Sequence, residues 1–174
     1  MILKPTAMDT IIQSSTVELL QTHGITVAPR ARSEATQFKA GHEVVGIIAF
    51  DAGDVAGQLT LVVPAPIYRG TAQGRSTQTT HADWTREATN QLMGRIKNRL
   101  LQFQLKLRTH IPTVLSGAAL ERQNRGRSYP HIAYVFGALR GEVVVTIDAS
   151  LAKALLEYSN ASILVPEGEL ILFD

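Results

Sequence analysis

The chain has 174 residues, no cysteine, 45% apolar and 18% charged residues, and a formal net charge of +2 from 17 Lys and Arg against 15 Asp and Glu. That length fits one domain able to bury about 70% of its extended-state surface, and the apolar share argues against wholesale disorder. The missing cysteine excludes disulfide frameworks, thiol nucleophiles and zinc–thiolate sites, and so small a net charge speaks against a dedicated nucleic-acid binder.

Residues 1–6 hold no long apolar stretch of the kind that begins a secretion signal, and no apolar run approaches the ~20 residues of a membrane helix. The expectation is a cytoplasmic protein without membrane insertion. Residues 8–23 read as a first helix, since Ile11, Ile12, Ser15, Leu19 and Leu20 sit near helical spacing and Gly24 follows as a stop signal. Ile25, Thr26 and Val27 begin a strand. Residues 29–42 are polar and irregular, a loop or an edge strand. Residues 44–50 and 58–63 are rich in β-branched side chains and pair as a hairpin across a longer loop holding Asp51, Gly53 and Asp54.

Pro64 and Pro66 close the second strand, with a short helical turn through Tyr68. Residues 71–80 form a loop. Residues 82–103 contain no proline and one glycine, the best helix in the chain. Pro112 blocks any helix around it, and 113–115 reads as a short strand. The polar stretch 121–130, with Arg122, Arg125 and Arg127, reads as a mobile loop. Residues 132–139 and 142–147 make a second hairpin around Arg140 and Gly141. A helical pattern returns at 150–158, and Glu167 and Gly168 separate two short apolar runs, 162–165 and 170–173. This order implies an α+β fold, an antiparallel sheet with long helices packed on one side.

At about 100° per residue along 83–103, Thr85, Ala88, Leu92, Ile96, Leu100 and Phe103 form the core stripe. Asp83, Glu87, Asn90, Gly94 and Lys97 fall on the opposite face, where Glu87 and Asn90 are neighbours at i,i+3. A glycine inside a helix costs about 1 kcal/mol relative to alanine. On a solvent face folding gives no reason for it. Either another surface comes very close beside Glu87 and Asn90, or Gly94 is an ordinary surface glycine among solvated polar residues. Spacing leaves both open.

The segment Asp83-Trp-Thr-Arg-Glu87-Ala-Thr-Asn90-Gln-Leu-Met-Gly94 resembles the motif helix of the CheX/CheC/FliY chemotaxis phosphatases: an acidic or hydroxyl residue, then E-x-x-N, then a glycine four residues on. Gly46-Ile-Ile-Ala-Phe50 with Gly57-Gln-Leu-Thr-Leu61 is similar to the hairpin before that helix, and Ile111-Pro112-Thr-Val-Leu-Ser-Gly117 to the strand after it. The resemblance implies a single CheX-like domain over 1–174, strongest over 8–148, with 149–174 a helix and strand extension. Two features depart from the pattern. Arg95 follows the motif glycine where asparagine is frequent, and the first helix offers Glu18-x-x-Gln21 with Gly24 beyond it, so Glu18 reads as an ordinary surface residue. One site makes CheX the nearer relative.

The resemblance also implies a function. Such a protein dephosphorylates the aspartyl phosphate of a CheY-like response regulator, which brings its own Mg2+ and lysine. The helper then needs no cofactor or metal of its own, only a group that orients water. A carboxamide both donates and accepts hydrogen bonds and suits that task, as the water-orienting glutamine of GTPases does. Asn90 is the implied water-positioning residue and Glu87 the partner of the regulator's lysine, together the catalytic pair. Asp83, Gly94 and Lys97 are implied to face the regulator, and a homodimer formed by strand exchange is implied as well.

A non-catalytic module that docks on a receiver domain would use the same face. Nucleic-acid binding through Arg122, Arg125 and Arg127 beside Tyr129 is the weaker alternative, because a short arginine loop with one aromatic is usually solvated. His23, His42, His81, His110 and His131 are scattered without metal-ligand spacing, and His81 reads as a helix-start residue.

Overall fold

The computed structural model describes residues 6–37, 39–128 and 130–163, with side chains up to residue 157. In chain order the elements are α1 (Ala7–Thr22), β1 (Val27–Ala35), β2 (Val44–Ala52), β3 (Val55–Val62), α2 (Ala65–Tyr68), α3 (His81–Leu100), a 3-10 turn (Leu101–Phe103), β4 (Arg108–Thr109), β5 (Thr113–Ser116), α4 (Gly117–Gln123), β6 (His131–Ala138), β7 (Gly141–Asp148) and α5 (Ala149–Ile163). The strands form one antiparallel sheet in the order β1-β6-β7-β3-β2-β4, and β5 pairs with the other end of β2.

Strand alternation assigns the two faces. Ile48 and Phe50 of β2, Leu59 and Leu61 of β3, Ile132, Tyr134 and Phe136 of β6 and Val143, Val145 and Ile147 of β7 share one core with the apolar stripes of α1, α3 and α5. The intervening residues Val45, Ile47 and Val62 meet Leu120 of α4 on the reverse face. The long helices therefore lie on one side, as expected, and the short α4 covers part of the other.

Helix α1 begins at a capping box. Asp9 N donates to Thr6 Oγ1 at 3.2 Å and Thr6 N to Asp9 Oδ2 at 2.8 Å. Asp9 also accepts from Arg32 Nε at 2.7 Å and from the Tyr134 hydroxyl at 2.8 Å, so one buried carboxylate ties α1 to β1 and β6. Burial alone would raise its pKa. The Thr6 amide, Tyr134, the Thr6 hydroxyl and Arg32 outweigh that and hold it below the ordinary 3.8.

Four sequence expectations are corrected. The first hairpin closes in two residues, Gly53 and Asp54, because Ala52 pairs directly with Val55 and Gly53 adopts φ 61°, which the tight turn requires. The helix read as running to 103 stops at Leu100 and tightens to a 3-10 turn, which leaves Phe103 half-buried at the edge of the core. The stretch 121–130 is not all loop: Gln123 ends α4, whose first turn is capped by Ser116 Oγ accepting from Ala119 N at 3.2 Å. The polar segment 29–42 takes one of its two expected forms, an edge strand, up to Ala35. The last helix extends beyond 158 to Ile163 and so takes in the start of the expected short run 162–165, while the rest of that run and the one at 170–173 lie outside the described residues.

Candidate functional site on helix α3

Helix α3 starts at Thr80, whose hydroxyl accepts from Asp83 N at 3.1 Å. The same hydroxyl donates to Asp83 Oδ2 at 2.7 Å, and Arg86 pairs with Asp83 Oδ1 at 3.2 Å. Asp83 is thus engaged at both oxygens within its own helix. His81 Nε2 donates to Val63 O at 2.8 Å and its ring stacks on Tyr68 at 4.7 Å. Burial pushes the His81 pKa down, and the Val63 carbonyl offsets that only in part. A neutral ring there is a fixed strut at the helix start.

The seat of α3 is set by what is missing from β2. A Cβ on Gly46 would collide with Thr89 Oγ1 and stand 3.1 Å from Thr85 O. Thr85 and Thr89 are fully buried, and their hydroxyls donate to His81 O and Thr85 O, each at 2.7 Å. A bare strand position facing two compact side chains lets the helix lie close to the sheet. Leu92, Ile96 and Leu100 complete the buried stripe, joined by Trp84 and Met93, which the periodicity had not assigned to it.

On the outward face Glu87 and Asn90 are exposed and Gly94 is half-buried. At about 100° and 1.5 Å per residue, Gly94 falls angularly between the two and roughly 6 Å further along the axis from Asn90. A Cβ added at Gly94 meets nothing within 4 Å. The protein's own packing does not require that glycine. Among the described residues the Asn90 carboxamide and the Lys97 ammonium have no side-chain hydrogen bond or ion pair. Glu87 accepts from Gln91 Nε2 at 2.9 Å, which leaves its second oxygen open. Gln91 Oε1 lies 3.4 Å from His23 Nε2, and the His23 ring meets Trp84 edge-on at 5.2 Å.

Gln91 is the residue that the sequence reading missed. Its signal was available, since it stands four residues after Glu87 on the same helix. Arg95 turns away to Glu18 Oε2 at 3.5 Å, and Arg99 binds Glu18 Oε1 at 2.6 Å together with the hydroxyls of Ser14 and Ser15. Glu18 is therefore the link between α1 and α3, and α1 presents no free counterpart of the Glu87 and Asn90 pair.

Helix α3 thus carries a carboxylate, an unpaired carboxamide and a bare backbone position on one open face rather than in an enclosed pocket. Among the described residues no group of three or more His, Asp or Glu side chains converges to hold a metal, and no helix is long and apolar enough to cross a membrane.

The fold is the one seen in CheX and CheC-like chemotaxis proteins. A CheC-like superfamily protein from Shewanella sp. PV-4 matches with TM-score 0.65 at 18% identity, covering 80% of this chain and 94% of that one. CheX from Desulfovibrio desulfuricans matches equally, TM-score 0.65 at 18% identity over 82% and 98%. The CheX–CheY–BeF3–Mg2+ complex from Borrelia burgdorferi matches with TM-score 0.61 at 11% identity over 83% and 98%. No protein-family model and no curated protein sequence matches the chain.

Proposed function

We propose that this protein hydrolyses the aspartyl phosphate of a CheY-like response regulator docked on helix α3. The observation that carries the reading is the unpaired Asn90 carboxamide beside Glu87, on a helix face left bare at Gly94. A fold shared with a CheX that forms a complex with CheY, BeF3 and Mg2+ supports it.

In this reading Gly94 lets the regulator's loops reach the helix backbone. Glu87, steadied by Gln91, pairs with the regulator's phosphate-site lysine and fixes the pose. Asn90 enters the phosphate site and aligns one water with the phosphorus. The water oxygen forms the new P–O bond, and the bond from phosphorus to the aspartyl oxygen breaks. Aspartate leaves as a carboxylate, one water proton stays on the phosphate and the other passes to solvent. Mg2+ belongs to the regulator and neutralises the phosphoryl oxygens. The bond already hydrolyses unaided, so an aligned water is enough to accelerate it. A homodimer forms part of the same proposal.

The test is single-turnover dephosphorylation of phosphorylated regulators from the same genome over a range of protein concentrations. Asn90→Ala should slow the bound step by about 100-fold, the scale of losing a positioned reactant, with regulator affinity little changed. Glu87→Ala should weaken binding first. Full activity in Asn90→Ala rejects the water-positioning role. Tight docking without acceleration leaves a receiver-binding module instead.

A further inference from the structure

On the sheet face opposite α3, helix α4, the turn after it and Thr36, Gln37 and Lys39 surround a cavity of about 630 Å3. Its wall carries Lys39, Arg122, Arg125 and Arg127 against one carboxylate, Glu121. Glu121 is already occupied, accepting from Ala40 N at 2.8 Å and Gly41 N at 3.0 Å. Four cations and one carboxylate make this concavity more positive than the entire chain, whose formal net charge is +2.

Six of the nine other arginines of the molecule are paired. Arg30, Arg32, Arg86, Arg95, Arg99 and Arg108 each pair with a carboxylate. Among the described residues Arg122, Arg125 and Arg127 have no ion pair and no side-chain hydrogen bond, while Lys39 lies close enough to Glu121 to help the Gly41 and Ala40 amides hold that carboxyl below its usual pKa. Nor do the guanidinium groups cap the end of α4. Backbone amides take those carbonyls, with Asn124 N donating to Leu120 O at 3.0 Å and Arg127 N to Asn124 O at 3.0 Å. A further donor in the wall, Asn124 Nδ2, is buried without a partner. A buried donor left unpaired and like charges brought together both oppose folding unless an acceptor-rich anion answers them.

We propose that this cavity binds a small molecule carrying two or more phosphate groups. Phosphate oxygens accept from several directions and match the guanidinium fork. A single phosphate would leave most of the cationic wall unanswered. The volume is that of a small-molecule site, whereas a polynucleotide needs an extended basic track. Because α4 and α3 lie on opposite faces of the sheet, a ligand here leaves Glu87 and Asn90 uncovered, and the inference stands apart from the function proposed for α3.

The test is isothermal titration of the full chain with inorganic pyrophosphate and with ATP, without Mg2+, at about 50 mM and about 200 mM salt, the range over which phosphate contacts weaken steeply. Citrate and a short DNA duplex serve as comparators. The expected result is one site per chain for pyrophosphate or ATP, weakened at least tenfold by Arg125→Gln/Arg127→Gln and unchanged by Arg108→Gln. Both substituted arginines are exposed, so the double variant should melt with the wild type. Asn124→Asp should also weaken binding, by turning the orphan donor into a repelling carboxylate. The proposal is overturned if neither phosphate compound binds at low salt, if the double variant binds as the wild type does, or if citrate binds as tightly as pyrophosphate. Duplex binding that outcompetes ATP overturns it too and assigns the surface to nucleic acid.

Discussion

Replacing Gly46 by alanine tests how α3 is seated. The new Cβ would collide with Thr89 Oγ1 and lie 3.1 Å from both Thr85 Cγ2 and Thr85 O. Thr89 has no easy escape, because it is fully buried and its hydroxyl is bonded to Thr85 O at 2.7 Å. Turning the hydroxyl away leaves it unpaired, at about 1–3 kcal/mol. Lifting the helix instead costs about 1–3 kcal/mol, the usual range for an overfilled core. Removing a glycine returns about 0.4–1 kcal/mol through the unfolded chain. The balance is a loss of about 1–2 kcal/mol, or ~2–8 °C in Tm for a chain of this length. Thermal denaturation followed by circular dichroism reads it directly. Thr89→Ala removes the obstructing oxygen, so Gly46→Ala/Thr89→Ala should be more stable than the summed single effects by about 1 kcal/mol. A Gly46→Ala variant that melts with the wild type, or a strictly additive double variant, refutes the close seat.

Gly94→Leu meets open space, so stability should hold or rise by up to about 1 kcal/mol. Its binding to a phosphorylated regulator should fall sharply in a titration, and equal docking would reject close approach at this point. Asp9→Asn should lower stability near neutral pH by about 1.5–3 kcal/mol, the worth of hydrogen bonds to a charged group. The folded-state pKa of Asp9 is depressed below 3.8, so the charged form contributes above the unfolded value and the contribution fades as pH falls through the folded one. Urea melts from pH 7 down to pH 2 should show the wild type and the variant converging, and a gap that stays constant would show that charge is not the cause. Glu18→Ala removes a link that is half exposed and should cost no more than about 1 kcal/mol while leaving dephosphorylation intact. A tenfold loss of rate would bring α1 into the working surface.

The helices were legible where periodicity and caps agreed. Residues 8–23 and 82–103 have both, and both helices appear within two or three residues of their expected ends. The outward stripe of α3 was legible for the same reason, since 100° per residue separates Glu87 and Asn90 from Leu92 and Ile96 whatever the rest of the fold does. What escaped depended on contacts distant in sequence. Helix α4 buries mainly Leu120 and leans on Ala40 and Gly41 through Glu121, partners some 80 residues away. The reason for Gly46 resides in Thr85 and Thr89, on an element that a strand pattern cannot see. Trp84 lies on the flank of the outward face and is covered by His23 and Tyr68, so periodicity alone did not reveal its burial.

The two margins of the sheet are unlike each other. Along β1 every residue from Ala28 to Glu34 is exposed, Pro29 has no N–H to offer, and the register shifts between Pro29 and Ala31. Arg30, Arg32 and Glu34 add charge to the same margin. A strand arriving there would find an interrupted ladder and have to bury ionic groups, so β1 resists self-templated growth even when the chain is concentrated. The other margin is divided between β4 and β5, with Ile111 85% exposed in the gap that Pro112 opens. Among the described residues the divided margin offers an arriving strand only the short segments β4 and β5, too brief for a continuous ladder.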